Sequence, residues 1–274
     1  MDSFCDLAAL AAAIPDGATV AVPSAPFGVA MAATRELVRR PARGLRLVCV
    51  PTSSIQADAL IGAGCVAAIE TSAVSIGEYG TGPRFAAAAR EGSVRILDAT
   101  CPAIHAAIQA GMKGLPFIPL RGLLGSDLVA HRPDWKVIDN PFAPGDPVVV
   151  LPALRPDVAL FHAPRADRHG NVFIGRSRDL VNMAQAARAT AVTVEEVVDD
   201  DLLQDPERAG AVIPALYVER IALAPRGAWP LGLPGRYAPD DAALGRYAQA
   251  ARTREGFASW LAAWLAAAPA AERT

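Results

Sequence analysis

A polar stretch near the middle of the chain separates two apolar runs. Residues 162–175 read HAPRADRHGNVFIG, and the strand-like run DVALFHA at 157–163 leads into them. Charged groups at the carboxyl end of a strand can be functional, because open α/β sheets bind their ligands at that edge. A tight turn with solvated charges accounts for the same residues, since Gly170 and Asn171 tolerate a positive φ. Both interpretations stay open, and Asn171 is kept as a candidate ligand-binding residue.

Asp167 is the residue expected to fix this turn. Its carboxylate can accept backbone N–H groups of the loop or pair with Arg165 or Arg168. His169 lies between Asp167 and Asn171. The other three histidines are dispersed along the chain and indicate no cluster.

A second unusual stretch, KGLPFIPLRGLLGSD, covers residues 113–127. Two prolines flank its Phe-Ile pair, so neither a helix nor a central strand can continue through it. The pattern predicts a shaped loop that carries Arg121, Gly125, Ser126 and Asp127 as candidate site residues. An ordinary connecting loop is the alternative.

Two further patterns have structural explanations. Gly62, Gly64 and Ala67 fit a dinucleotide-binding spacing only loosely, because the helical IQADAL precedes them instead of a strand, and no acid follows at the required distance. A glycine turn between helix and strand is favoured. The acidic residues of 195–201 lack the calcium-loop pattern. They favour a solvated strand end and the start of a short helix, where carboxylates are stabilised.

Composition narrows the class of protein. The chain has 274 residues, 52% of them apolar, and a net charge of −2. A sizeable core can therefore form, and the basic face typical of nucleic-acid binding is not expected. The four cysteines form no CxxC pair, so no metal is expected. No signal peptide and no apolar run of about 18 residues is read, which predicts a cytoplasmic protein with no membrane association.

The order of apolar runs predicts an α/β fold. Continuous rather than alternating apolar strands indicate an open, mostly parallel sheet with helices on both faces. No linker divides the chain, so residues 1–274 are expected to form a single domain, with 225–239 as a surface loop before two closing helices. The predicted strands are 18–22, 45–50, 66–72, 93–99, 157–163 and 189–197. The predicted helices are 29–40, 83–91, 102–113, 177–188, 240–251 and 254–267.

Several segments, in this order, resemble the α subunit of family I CoA-transferases, in particular the glutaconate CoA-transferase α-subunit group. The resemblance spans most of the chain. The matching segments are IPDGATVAV (14–22), RELVRR (35–40), AGMKGLPFIPLRGLLGSD (110–127), PDVALFHAPRADRHGNVFI (156–174), IPALYVERIALAPRGAWPLG (213–232) and GFASWLAAWL (256–265).

The resemblance implies a fold shared with ribose-5-phosphate isomerase and a site divided between two chains. In this family a β-type partner supplies the nucleophilic glutamate, and the expected assembly is a heterotetramer, α2β2. A coenzyme A thioester is the implied substrate, with no bound cofactor. The expected CoA- or substrate-binding residues on this chain are Ser24, Gly28, Arg121, Gly125, Ser126, Asp127 and Asn171, while Cys101 and Ser126 are the candidates for a catalytic role.

Two departures from the family pattern bear on the chemistry. Pro23 and Ser24 stand where the family has paired glycines, so any backbone contact of that loop must differ here. Cys101 stands near a position where some transferases carry an oxyanion-hole glutamine and ring-opening hydrolases carry a catalytic glutamate. Asp98 is the nearest other polar residue.

The departures leave three functions open. CoA transfer between carboxylic acids is the first. Hydrolytic or retro-Claisen cleavage of a cyclic acyl-CoA is the second, and a non-catalytic ligand-binding role is the third.

Overall fold

A computed structural model describes residues 3–267 of the chain. The strands, in chain order, are β1 (Phe4–Cys5), β2 (Thr19–Pro23), β3 (Leu45–Val50), β4 (Val66–Thr71), β5 (Arg95–Asp98), β6 (Phe117–Leu120), β7 (Lys136–Asp139), β8 (Pro147–Pro152), β9 (Val158–Ala163), β10 (Arg165–Asp167), β11 (Val172–Phe173), β12 (Ala189–Val194), β13 (Val197–Val198), β14 (Val212–Ile213) and β15 (Arg220–Leu223). The helices are α1 (Leu7–Ala12), α2 (Met31–Arg39), α3 (Ile55–Gly62), α4 (Pro83–Glu91), α5 (Cys101–Met112), α6 (Asp127–His131), α7 (Asp179–Ala186), α8 (Asp241–Ala250) and α9 (Arg254–Ala266). None of these helices has the length and apolar character that a bilayer crossing requires.

Eight strands form the central sheet, in the order β1-β15-β12-β9-β2-β3-β4-β5. Every neighbouring pair in it is parallel. The carboxyl ends of all eight strands therefore meet at one edge, which we call the carboxyl edge. The predicted α/β fold with a mostly parallel sheet is confirmed.

Helices cover both faces of this sheet because side chains alternate across each strand. In β2, Val20 and Val22 belong to the core under α1 to α4, while Ala21 belongs to the opposite core under α5 and α7. Both cores are built from aliphatic side chains, which explains the continuous apolar strands.

The two closing helices add a third layer on the α2 and α3 side. Tyr247 of α8 stacks edge-on against Trp260 of α9 with 4.5 Å between ring centroids, and Trp260 stacks on Trp264. The Tyr247 hydroxyl donates a 2.6 Å hydrogen bond to the buried Asp58 of α3. The irregular segment before α8 follows the prediction for 225–239 and buries Leu231 and Leu233.

A small antiparallel sheet, in the order β6-β8-β7, lies between β5 and β9 in the chain. It corrects one expectation, because Phe117–Leu120 is a strand and not part of a loop. Its Pro119 is tolerated since β6 is an edge strand, where a missing N–H leaves no ladder bond unmade. The rest of 113–126 is turn and loop, as predicted, and Asp127 begins α6.

All six predicted strands and all six predicted helices are present. The largest error at a boundary is the end of β12, predicted at 197 and found at Val194. The glycine turn predicted at 62–64 joins α3 to β4, and Gly64 has a φ of +75°.

Candidate functional site

Four small polar side chains meet at the carboxyl edge, where β2 to β5 end. Ser24 follows β2, and its Oγ lies 2.9 Å from Thr52 Oγ1 in the loop after β3. Ser72, directly after β4, donates to the carbonyl of Pro51 and lies 3.1 Å from Cys101 Sγ. We call Ser24, Thr52, Ser72 and Cys101 the hydroxyl–thiol cluster; parallel strands place it there, because each of its loops leaves the same edge.

The loop after β2 connects this cluster to the neighbouring strand β9. Gly28 has a φ of +87°, and a Cβ at this position would lie 2.5 Å from the carbonyl oxygen of His162. The His162 N–H also donates to the Gly28 carbonyl at 2.6 Å. Gly28 therefore provides a close backbone approach, and any larger residue would push the loop away from β9.

A buried ion-pair group attaches the segment after β6 to the carboxyl edge. Arg132 follows α6, is only 3% exposed, and donates to Glu70 of β4 at 2.8 Å and to the carbonyl of Asp98 at 3.1 Å. Its other partner is Asp134, also at 2.8 Å. Hydrogen bonds from Arg132 lower the pKa of Asp134. The group brings the 121–132 segment beside the strand end that leads into Cys101.

Four predicted site residues lie on that segment. Arg121 is exposed and pairs with Asp146 at 2.5 Å. Ser126 caps α6, because its Oγ accepts the N–H of Leu128 at 3.1 Å. Asp127 is the first residue of that helix, and Gly125 before the cap has a φ of +76°. Within residues 3–267, no hydrogen bond or ion pair joins these four to the hydroxyl–thiol cluster.

The turn 165–171 is held by Asp167, as predicted. Its buried carboxylate accepts N–H groups of His169, Asn171 and Leu202 at 2.9–3.0 Å, and the Asn171 amide at 2.8 Å. Burial acts to raise the pKa of Asp167, but these donors outweigh it and lower the pKa. The side-chain oxygen of Asn171 accepts from Ala215, so both ends of its buried amide are engaged within the protein.

The arginines of this turn pair elsewhere. Arg165 lies 3.3 Å from Glu196, and Arg168 pairs with Asp199. Gly170 makes the reversal between β10 and β11 with a φ of +89°. The turn is therefore a folded support for the edge, and its arginines pair with carboxylates outside it.

A second buried polar network lies where β9 and β12 end. His162 is fully buried, with Nδ1 2.8 Å from Thr193 Oγ1 and Nε2 2.7 Å from Glu195 Oε1. Glu195 also accepts the Tyr237 hydroxyl and the backbone N–H of Arg226, each at 2.7 Å. Because an ionised carboxylate only accepts, His162 Nε2 carries the proton.

This network corrects the interpretation of the acidic residues 195–201. Glu195 is not a solvated strand end: burial acts to raise its pKa, and the donors around it, His162 first, lower the pKa overall. No helix starts in this run; the short strand β13 follows, and then turns. The pKa of Tyr237 is raised, by burial and by Glu195.

The cysteines differ in exposure. Cys101 is exposed, whereas burial raises the pKa of Cys49 to about 12 and that of Cys65 to about 11. Among the described residues, no group of three or more His, Cys, Asp or Glu is placed to hold a metal ion.

The sequence of the chain matches one protein family. The sequence model of the Coenzyme A transferase family matches residues 6–224. The chain belongs to this family.

Two CoA-transferase chains are similar over most of their length. The A-type subunit of the 3-oxoadipate CoA-transferase of Pseudomonas knackmussii is 34% identical over 252 residues, which cover 90% of this chain and 88% of that protein. The A-type subunit of the glutaconate CoA-transferase of Acidaminococcus fermentans is 34% identical over 227 residues, covering 76% and 70%. A more distant relative, the cholesterol ring-cleaving hydrolase IpdA subunit of Rhodococcus jostii, is 26% identical over 191 residues, covering 67% and 64%.

Solved structures agree with these sequence matches. The glutaconate coenzyme A-transferase of Acidaminococcus fermentans superposes with a TM-score of 0.89 at 29% identity, covering 96% of this chain and 88% of that chain. A variant of the decarboxylase AibA/AibB superposes with a TM-score of 0.81 at 32% identity, covering 96% and 100%.

Sequence reasoning named Ser24 and Cys101 but missed Thr52 and Ser72 beside them. Thr52 follows and Ser72 closes a predicted strand. Polar residues at the carboxyl end of the strand 157–163 were treated as candidate site residues, and the same reasoning could have found these two. No sequence pattern indicated the ion pair between Glu70 and Arg132, because the two residues are 62 positions apart.

Proposed function

We propose that this chain is the α-type subunit of a heteromeric CoA-transferase that moves CoA between carboxylic acids. The nucleophile is a glutamate of a β-type partner, which forms an acyl-glutamyl and then a glutamyl-CoA intermediate. One observation carries this: among the described residues, no O–H or S–H group of the hydroxyl–thiol cluster donates a hydrogen bond to a carboxylate. The carboxyl edge thus offers binding groups without an activated carboxylate nucleophile of its own.

Two carboxylates at this edge are poor nucleophiles. Glu70 is buried against Arg132, and Glu195 is held by three donors. A carboxylate that already accepts strong hydrogen bonds has little lone-pair density left for attack, and releasing it would leave buried donors unpaired.

The first half of the reaction consists of two acyl substitutions that both involve the carboxylate of the partner's glutamate. The partner's glutamate attacks the acyl-CoA carbonyl, the C–S bond breaks, and CoA leaves as a thiolate, so that a mixed anhydride of the acyl group and the glutamate remains. The thiolate then attacks the glutamyl carbonyl and expels the first carboxylic acid. The second acid reverses both steps and leaves with CoA.

Negative charge forms on a carbonyl oxygen at each step, and donors aimed at that oxygen lower the barrier. We assign this supporting role to Thr52 and Cys101, because the hydroxyl groups of Ser24 and Ser72 already donate to the backbone carbonyls of Val50 and Pro51. Ser24, Gly28, Arg121, Gly125, Ser126 and Asp127 remain the proposed contacts to CoA or to the acyl group, and Asn171 supports them from within the turn.

Hydrolysis of an acyl-CoA is the second candidate, favoured by the similarity to a ring-cleaving hydrolase. On that alternative, a carboxylate on this chain would activate water, and the exposed Asp98 beside the start of α5 is the candidate.

The two activities differ in the fate of the thiol. The chain, assembled with a β-type subunit, is supplied with an acyl-CoA and an acceptor acid, and free thiol is followed with a thiol-reactive dye. Transfer produces a new acyl-CoA with no net thiol release. Release of one thiol per acyl-CoA consumed, abolished by Asp98→Asn, would establish hydrolysis. If neither activity is present, a ligand-binding role remains.

A further inference from the structure

A cavity of about 420 Å³ lies between the ends of α3 and α4 and the start of α9. Two of its lining residues, Gly62 and Ala63, lead into β4, and a third, Ser93, leads into β5. These residues precede parallel strands, whereas the hydroxyl–thiol cluster follows the ends of such strands. We therefore call this space the amino-edge cavity. Its volume lies within the range that small-molecule sites occupy.

The amino-edge cavity contains a buried arginine that the fold does not pair. Arg84 is only 8% exposed, and its Nε is enclosed and has no hydrogen-bond partner within residues 3–267. No carboxylate of those residues forms an ion pair with its guanidinium group. Buried arginines are ordinarily paired, because an unpaired charge in a protein interior is costly. Arg84 therefore retains donor capacity for a ligand.

Two carboxyl groups near Arg84 are already engaged. Glu91 lines the cavity and pairs with the exposed Arg254 at 2.8 Å. Asp58 is buried and accepts the Tyr247 hydroxyl at 2.6 Å. The charge of Arg84 acts to lower the pKa of Asp58, but burial outweighs it and raises the pKa. The cavity lining, with two arginines and one glutamate, thus carries one positive charge without an anion.

Gly62 makes room for the Arg84 side chain. A Cβ at this position would lie 2.7 Å from Cγ of Arg84 and 2.5 Å from Cζ of Phe257. The guanidinium carbon of Arg84 lies 6.0 Å from the centroid of the Phe257 ring. The stem of Arg84 is therefore enclosed between α3 and α9, which fixes its guanidinium group before any ligand binds. Preorganised donors lose little entropy on binding.

We propose that the amino-edge cavity binds a small aliphatic carboxylate, and that Arg84 holds its carboxylate group. A guanidinium fork matches a carboxylate in geometry. One unmatched positive charge suits a monovalent anion better than a phosphate group, which carries more charge at neutral pH. An alkyl chain suits the rest of the lining, which includes Ile61, Ala87, Ala88, Phe257, Ala258 and Leu261.

The site does not depend on CoA transfer. None of its lining residues belongs to the hydroxyl–thiol cluster or to the loops at the carboxyl edge. A carboxylate bound there is not a substrate, and it acts by stabilising the layer formed by α3, α4 and α9. By mass action, a ligand that binds only the folded chain raises its stability.

Isothermal titration calorimetry of the full-length chain with butyrate, butyramide and inorganic phosphate tests the ligand class. Butyramide has the size of butyrate but no charge. Arg84→Gln and Arg84→Met both remove the guanidinium group. Arg90→Gln is the matched control, because Arg90 is an exposed arginine of the same helix and does not line the cavity.

We expect butyrate to bind at least about tenfold more tightly than butyramide, and each Arg84 variant to weaken butyrate binding at least about tenfold, as for one charge-assisted contact. The control should change the Kd for butyrate less than about twofold. No butyrate binding by the wild type, or equal Kd values in wild type and Arg84 variants, would overturn the proposal. Tighter binding of phosphate than of butyrate would overturn the assigned ligand class.

Urea denaturation separates a ligand-binding role of Arg84 from a structural one. Without ligand, Arg84→Met should unfold at the same or a higher urea concentration than wild type, because methionine replaces the apolar stem and removes an unpaired charge. Excess butyrate should raise the midpoint of wild type and of Arg90→Gln, but not that of Arg84→Met. A lower midpoint of ligand-free Arg84→Met, or an equal effect of butyrate on that variant, would contradict the proposal.

Discussion

His162 Nε2 and Glu195 Oε1 lie 2.7 Å apart and join the ends of β9 and β12. The same carboxylate accepts the hydroxyl of Tyr237, the residue after Arg236. Glu195 therefore links the sheet to a loop that sequence reasoning placed at the surface. Glu195 thus belongs both to the framework of the sheet and to the polar network at the carboxyl edge.

Replacing Glu195 should destabilise the protein measurably. In Glu195→Gln one acceptor oxygen becomes an NH2 group that faces donors, so we expect a loss of about 2–3 kcal/mol in the free energy of unfolding. Tyr237→Phe removes one donor and should cost about 1 kcal/mol. Urea denaturation monitored by circular dichroism measures both. Equal losses for the two variants would show that the carboxylate is not the centre of the network.

Asp167→Asn should be more damaging, because the carboxylate accepts four hydrogen bonds. An amide accepts with only one oxygen, and we expect a loss of about 2–4 kcal/mol at pH 7. The folded-state pKa of Asp167 is lowered, so its stabilisation is present above its ordinary pKa near 3.8 and is lost as the pH falls. The difference in stability between wild type and variant should therefore narrow in acid. A difference independent of pH would contradict this.

The stabilisation that Asp58 provides should depend on pH in the opposite direction, which Asp58→Asn tests. Burial raises the pKa of Asp58, so its protonated carboxyl group stabilises the fold below the ordinary pKa, and this contribution is lost as the pH rises through the raised value. Asparagine can still accept the N–H of Phe85 and can donate to the Tyr247 hydroxyl. We expect a change in unfolding free energy below about 1 kcal/mol at pH 7, because both hydrogen bonds persist. A loss comparable to that of Asp167→Asn would show that the charge itself is needed.

Cys101 should be the preferred target of thiol alkylation over Cys49 and Cys65. It is exposed, while burial raises the pKa of the other two thiols and leaves them without reactive thiolate. Mass spectrometry after brief iodoacetamide treatment identifies the modified residue. Assembly with a β-type subunit should protect Cys101, since the carboxyl edge is then covered. Labelling of Cys101 at the same rate in the assembly would place the partner elsewhere.

The sheet and its main helices were predictable because burial on both faces leaves a plain sequence signal. Runs such as LRLVCV favour a covered strand, and the amphipathic runs between them favour covering helices. Elements that depend on distant partners gave no such signal. The strand at Phe117–Leu120 contains a proline and becomes visible only beside β8, with which it pairs.

The site was predictable in part for the same reason. Asp167 was assigned correctly, since a carboxylate before a glycine turn has local donors within reach. Glu195 was assigned wrongly, because its burial depends on His162 and Tyr237, 33 and 42 positions away. Local sequence determines turns, whereas the electrostatic environment of a side chain is set by tertiary packing.

The most direct test of the account locates the covalent intermediate. This chain and a β-type subunit, separately and mixed, are incubated with an acyl-CoA and then with hydroxylamine, which converts a protein-bound glutamyl thioester to a hydroxamate. Peptide mass spectrometry finds the modified residue. We predict a hydroxamate on a glutamate of the partner, only in the mixture, and none on this chain. A hydroxamate on a carboxylate of this chain, formed without the partner, would contradict the account.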